Sequence, residues 1–156
     1  KAFDSTIDNC RSYGSICSEV VSTGGSSTAE TSGIVGVMED GTKVINCISY
    51  SNMESYGSGD ADQLIAYVGG IASYARGSSQ ILNCGSRGEL LIAKVENKQQ
   101  GGTSYTYTAG LVPILLGKSI LLNGWSVVPT LKGQVPKSWM TANSIRQGRH
   151  DAGRSE

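Results

Sequence analysis

An Asn-Cys pair recurs along the chain at a fixed distance, and this constrains the fold more than any other feature. Asn9-Cys10, Asn46-Cys47 and Asn83-Cys84 are separated by 37 and 37 residues, and Asn123-Gly124 follows after 40. The neighbours repeat with the pair. An aliphatic residue stands two positions before each Asn (Ile7, Val44, Ile81, Leu121), and a serine stands three positions after it (Ser12, Ser49, Ser86, Ser126). Thirteen residues before the last three Asn there is a glycine (Gly33, Gly70, Gly110), followed by an apolar pair: Ile34-Val35, Ile71-Ala72 and Leu111-Val112. Several residue types held at fixed offsets over three or four copies are the mark of a repeat architecture. The first copy lacks room for its glycine, so the chain opens in mid-repeat. We therefore expect the parent protein to continue upstream, or a preceding segment to have been removed.

Each copy reads as three short strands. One is an alternating segment, Leu64–Val68 or Ser104–Thr108. The second follows the glycine, and the third runs through the Asn-Cys pair, as in "QILNCGSRGEL". Polar loops ("STGGSSTAE", "SYGSGDAD", "ENKQQGGT") lie between copies and are expected to absorb the change from 37 to 40. One such unit cannot cover its own apolar face. Stacking coil on coil does so, with parallel backbones about 4.8 Å apart and like residues in ladders. The expected fold is thus all-β: a parallel β-helix of about four coils of 37–40 residues, three short strands per coil, over residues 1–128. Residues 129–156 form a C-terminal cap and tail, with Thr130 to about Asn143 as the cap and Trp139 and Met140 over the core. Pro113, which has no N–H for a ladder, and Gly124 in place of Cys mark the last copy as atypical.

The phase of alternation breaks at the Asn-Cys pair. Counting by twos from Ile81 reaches Asn83, whereas counting back from Leu90 reaches Cys84. A strand changes face only at a bulge or corner, and Asn tolerates the left-handed region such a corner needs. Asn9, Asn46, Asn83 and Asn123 are therefore placed at corners, either as a hydrogen-bonded ladder or as turn formers only. Cys10, Cys47 and Cys84 are placed inside as small stacked hydrophobes. Free thiols are expected, with Cys17 the one most open to exposure or pairing.

Charge is balanced, with 13 basic against 13 acidic residues, so no nucleic-acid footprint is present. The longest apolar window, Leu111–Leu122, is too short for a membrane span and contains Lys118. No cofactor and no metal are expected. An enzyme built on such coils would align carboxylates on one face, yet the repeat alignment sets Glu89 opposite Ser15 and Asn52, and Glu54 opposite Cys17 and Leu91. Asp60 and Asp62 share one loop and read as a solvated turn. His150 stands alone, and the basic tail (Lys132, Lys137, Arg146, Arg149, Arg154) reads as a solvated face. Thr31, Val68 and Thr108 share a ladder position, too few threonines for an ice-binding array. Tyr13 with Tyr50, and Tyr67 with Tyr107, share ladder positions and are the candidate ligand-binding residues. Either they form an aromatic platform or they pack between coils.

"GIVG" (Gly33–Gly36) followed by "VINCISYS", and "GGIAS" followed by "ILNCGSRG", resemble GLUG-motif repeats. The resemblance covers about residues 1–128. Ser73 stands where the motif has glycine, and Pro113 departs from it again. GLUG repeats occur in bacterial surface and secreted proteins, including adhesins and the non-catalytic parts of immunoglobulin A-specific proteases. The resemblance implies an extracellular β-solenoid on the bacterial cell surface or secreted, and no catalytic residue. The expected function is a structural or adhesive repeat module, part of a longer chain or surface assembly, with a glycan or host surface protein as partner. Two alternatives stand beside it: a carbohydrate-binding module using the tyrosine ladders, and an accessory segment of a larger secreted polysaccharide- or protein-degrading enzyme.

Overall fold

The computed structural model describes residues 1–134 and the short strand Gln147–Gly148. Within them there is no helix, and the chain winds as a β-solenoid of about three turns in which every strand pair is parallel. The first turn holds β1 (Thr6–Asp8), β2 (Arg11–Ser12), β3 (Ser15–Thr23) and β4 (Ser26–Ser32). The second holds β5 (Val35–Met38), β6 (Lys43–Ile45), β7 (Ile48–Ser49), β8 (Asn52–Asp60) and β9 (Gln63–Gly69). The third repeats this with β10 (Ala72–Ala75), β11 (Gln80–Leu82), β12 (Gly85–Ser86), β13 (Leu90–Asn97) and β14 (Thr103–Ala109). Beyond them, β15 (Ile120–Leu122), β16 (Trp125–Ser126), β17 (Thr130–Gln134) and β18 (Gln147–Gly148) each add a last member to a sheet.

The register matches the repeat. Ile7, Val44, Ile81 and Leu121 lie over one another, as do Ser12, Ser49, Ser86 and Ser126. A full turn carries five short strands, not the three read from the sequence. The segment through Asn-Cys is divided because the Asn leaves the extended region, which ends one strand and starts another two residues on. The lengthening from 37 to 40 is also not confined to a loop. Partner offsets rise from 37 at Gly85↔Ile48 to 38 at Leu91↔Met53 and 40 at Thr103↔Gln63. One extra residue therefore forms a bulge near Glu89, where the Asn52 side chain accepts from the Glu89 and Leu90 N–H groups at 2.8 and 3.2 Å. The other two extend the loop before β14. The stacked strands continue past residue 128, since β17 pairs with β13 from Thr130. Trp139 and Met140, read as cap residues, lie outside the described residues. Among the described residues the β5–β10 ladder has no third strand; Pro113 lies at that place in the last copy, and single bridges, Ala2 to Met38 and Leu115 to Ala75, extend it.

In cross-section each coil has two apolar lobes. One contains Val35, Met38, Val44, Cys47, Ile71 and Ile81, and the other Met53, Leu64, Val68, Leu91 and Val95. Each fully buried side chain of this size contributes about 1.5–3 kcal/mol. Between the lobes the coil is pinched. A Cβ on Gly33 would overlap the Ser49 hydroxyl, one on Gly70 that of Ser86, and one on Gly110 that of Ser126. The glycine thirteen before each Asn and the serine three after it are thus the two walls of one waist. Ser49 and Ser86 are fully buried there, and Ser12 donates to Ser49 Oγ at 3.0 Å along the stack.

This pairing can be tested at Gly110, where the obstacle to a side chain is Ser126 alone. Gly110→Ala is expected to cost about 1–3 kcal/mol in urea unfolding, as overpacking does. Adding Ser126→Gly should recover most of that loss, a positive coupling in a double-mutant cycle. Additive effects would show that the two residues do not meet.

Candidate functional site

The corner is built from backbone strain, an amide chain and a thiol. Asn9, Asn46, Asn83 and Asn123 have φ of 54, 54, 53 and 52°, the left-handed region in which Asn is favoured over other residues with a side chain. Their side chains run a hydrogen-bonded ladder: Asn123 Nδ2 donates to Asn83 Oδ1 at 3.0 Å, and Asn83 Nδ2 to Asn46 Oδ1 at 3.2 Å. The foot of the ladder is not Asn9. Asn46 Nδ2 donates to Asp8 Oδ1 at 3.1 Å, and the acceptor-only carboxylate ends the chain of amides.

The cysteine after each Asn closes the corner. Its S–H donates to the carbonyl two residues back: Cys10 to Asp8, Cys47 to Ile45 and Cys84 to Leu82, at 3.4, 3.1 and 3.2 Å. All four cysteines are free thiols. Cys47 and Cys84 are buried as expected. Cys10 is exposed, contrary to the inside position read for it, because no described coil lies beneath the first turn. Cys17 is exposed on the outer side of β3. Burial raises the Cys47 thiol and pushes the Cys84 thiol up to about 11, which removes thiolate character from both.

The tyrosine ladders form as the spacing requires. Tyr13 and Tyr50 stack with centroids 5.0 Å apart and rings 3° from parallel; Tyr67 and Tyr107 stack at 5.0 Å and 21°. Each ring therefore gives one face to its neighbour. The second stack is wider than the spacing indicated. Tyr74 meets Tyr67 edge-on at 6.4 Å, and Tyr105 lies 6.4 Å from Tyr107. Tyr105 was findable, being two residues before Tyr107 and so on the same strand face. Tyr74 was not, because it sits on β10, and only the turn at Gly69-Gly70 brings β10 beside β9. Glu30, the partner of Tyr67 in β4, extends the cluster, and Ser73 Oγ donates to its Oε2 at 3.4 Å. Burial among these groups raises Tyr67 to about 12. The Tyr13–Tyr50 column continues differently: Arg87 takes the next position, with its guanidinium 5.7 Å from the Trp125 ring, which itself lies on Gly85.

The acidic residues do not converge. Glu54 pairs with Cys17 and with Ile92, not Leu91, because of the bulge. Asp62 accepts from Gln99 Nε2 at 2.7 Å, and Asp60 is exposed. Among the described residues no group of His, Cys, Asp and Glu is arranged to hold a metal ion. Glu39 is held between Lys1 Nζ, at 2.7 Å, and Arg76. The Lys1 hydrogen bond, followed by Arg76, holds its carboxyl below the usual carboxylate range. Thr31 and Thr108 are buried, so this ladder presents no threonine array to solvent. His150 lies outside the described residues. No helix among the described residues is long and apolar enough to cross a membrane.

No family model, curated protein or solved structure matches this chain.

Two measurements check this geometry. Asn83→Ala is expected to lower stability by about 1–2 kcal/mol, because alanine lacks the polar side chain that lets Asn adopt the left-handed region. Asn83→Gly should cost less than Asn83→Ala, although both lose the amide ladder; equal losses would make the ladder, not the backbone conformation, the dominant effect. In mildly alkaline buffer, Cys10 and Cys17 should react with a thiol reagent while Cys47 and Cys84 react only on unfolding. Labelling of four thiols in the folded protein would contradict the buried column.

Proposed function

We propose that this chain is a non-catalytic structural and adhesive repeat module of a bacterial cell-surface or secreted protein, comprising four coils and a C-terminal cap. The observation that carries the reading is where the repeated side chains go. Asn, Cys, Gly and Ser at their fixed offsets all contact one another or the equivalent residue in the next coil, so the repeat serves to make a stack. The GLUG-like segments Gly33–Gly36 with Val44–Ser51, and Gly69–Ser73 with Ile81–Gly88, agree with an exported module of this kind.

A second reading, binding of a carbohydrate, is favoured by the cluster of Tyr67, Tyr74, Tyr105 and Tyr107 beside Glu30. Its rings offer apolar contact for a pyranose face, and Glu30 offers an acceptor for hydroxyls. The Tyr13–Tyr50 pair offers less, because it brings together two rings against the four of the cluster.

An antibody raised against the chain should stain intact producing cells, or detect the chain in their medium. Staining only after permeabilisation would contradict the surface assignment. On an array of immobilised glycans, the labelled protein should bind a defined subset if the tyrosine cluster is a site. Tyr67→Ala and Tyr107→Ala should then weaken binding about tenfold or more. Binding unchanged in both variants would remove the carbohydrate reading and leave the scaffold.

A further inference from the structure

The outer face of the sheet that contains β4, β9 and β14 gathers aromatic rings around one charge. Tyr67 and Tyr107 are register partners there, Glu30 is the partner of Tyr67 one coil before it, and Tyr105 stands over Ile65. Tyr74 joins them from β10, with its ring at 67° to that of Tyr67. Tyr107 takes one face of Tyr67. The other face looks along the ladder toward Glu30, so Tyr67, Tyr74 and Glu30 bound one corner. All four rings are half-buried and Glu30 is exposed.

The charge on this face is of one sign. β4, β5, β9, β10 and β14 contain no Lys, Arg or His, and Glu30 is their only acidic residue. Among the described residues Glu30 makes no ion pair. The Ser73 hydroxyl is 3.4 Å from Glu30 Oε2 but nearer the Gly36 carbonyl, at 2.6 Å, and it has one proton to give. Arg76, two residues after Tyr74, is paired with Glu39. Arg146 and Arg149 lie outside the described residues. The corner thus sets a carboxylate, which accepts and does not donate, beside aromatic faces that carry negative charge density.

We infer that the carbohydrate this cluster takes is one bearing a free, protonated amine, an oligosaccharide of deacetylated hexosamine. The inference rests on the carbohydrate reading given above and narrows it. An ammonium group has three donors and no acceptor, the complement of Glu30. Over a tyrosine face it gains a cation–π attraction that a neutral hydroxyl does not. The C–H face of the same pyranose packs on the neighbouring ring. A uronic or sulfated sugar would set like charges together, and the five strands hold no cation to offset them. An N-acetyl group would remove the charge that Glu30 and the rings attract.

Titration calorimetry of the full chain with the tetramer of glucosamine, beside the tetramer of N-acetylglucosamine, tests this in mildly acidic, low-salt buffer where the amines are protonated. The deacetylated tetramer should bind about tenfold more tightly. Added salt should narrow the difference. Glu30→Gln, on the outside of β4, should bring it down to the affinity of the N-acetylated tetramer with an unchanged circular dichroism spectrum. Glu54→Gln, on the outside of β8 in the other sheet, should leave the preference intact, whereas loose attraction of a polycation to surface carboxylates would fall in both variants. Equal affinities, or tighter binding of the N-acetylated tetramer, would overturn the amine and leave the carbohydrate reading standing. So would binding of neither tetramer by a chain that does recognise glycans on the array; binding of neither tetramer and of no arrayed glycan would remove both readings. A preference that survives Glu30→Gln, or that Glu54→Gln reduces equally, would overturn the assignment to this corner.

Discussion

Everything in this molecule depends on the requirement that each coil lie in parallel register on the one before it. A parallel stack presents every backbone group and every side chain to its own equivalent. A residue that bends the chain must therefore bend it at the same place in each turn, or the ladders on either side fall out of phase. The left-handed asparagines meet that demand. Each turns the chain by one corner, and the amides then bond along the stack, so the strained backbone positions support each other.

The same constraint explains the waist. Two apolar lobes on one coil need the backbone to approach itself between them, and the closest approach leaves room for a serine facing a glycine. A larger residue at either position would have to be accommodated in the adjoining coils as well. The cysteine at the corner fits this scheme as a small, buried, weakly donating group. Its thiol satisfies the carbonyl that the corner leaves behind, and burial suppresses its ionisation.

Much of this was legible in the sequence because the restraints act at single residue types with fixed offsets. Asn, Cys, Gly and Ser at the corner and waist each have a local reason to be that residue, and a repeat makes them visible. The number of strands was less legible. The division of the corner segment into β6, β7 and β8 depends on where hydrogen bonding lapses, and no residue type encodes that by itself. The bulge at Glu89 was hidden because counting from Asn83 carries every later residue into the wrong partner by one. It took the Asn52 side chain, bonded to two successive N–H groups, to show the slip. Cys10 was misplaced for a different reason: its position in the repeat is interior, but the coil that would cover it is not among the described residues. Tyr74 joined the tyrosine cluster through the turn at Gly69-Gly70, which sets β10 beside β9, and its own ladder partner, Val37, is not aromatic and gave no sign of it.

Outward-facing positions are the ones free to differ between coils, as the series Arg11, Ile48, Gly85 and Trp125 shows, and any recognition chemistry has to be carried there. That freedom exists only if the interior register holds. Nuclear Overhauser contacts in a uniformly labelled sample test the register directly, because parallel in-register stacking puts residues 37 apart within contact distance. The account predicts a regular series linking Ile7 with Val44, Val44 with Ile81 and Asn46 with Asn83. Contacts running in opposite chain directions, or no contact between Asn46 and Asn83, would contradict it.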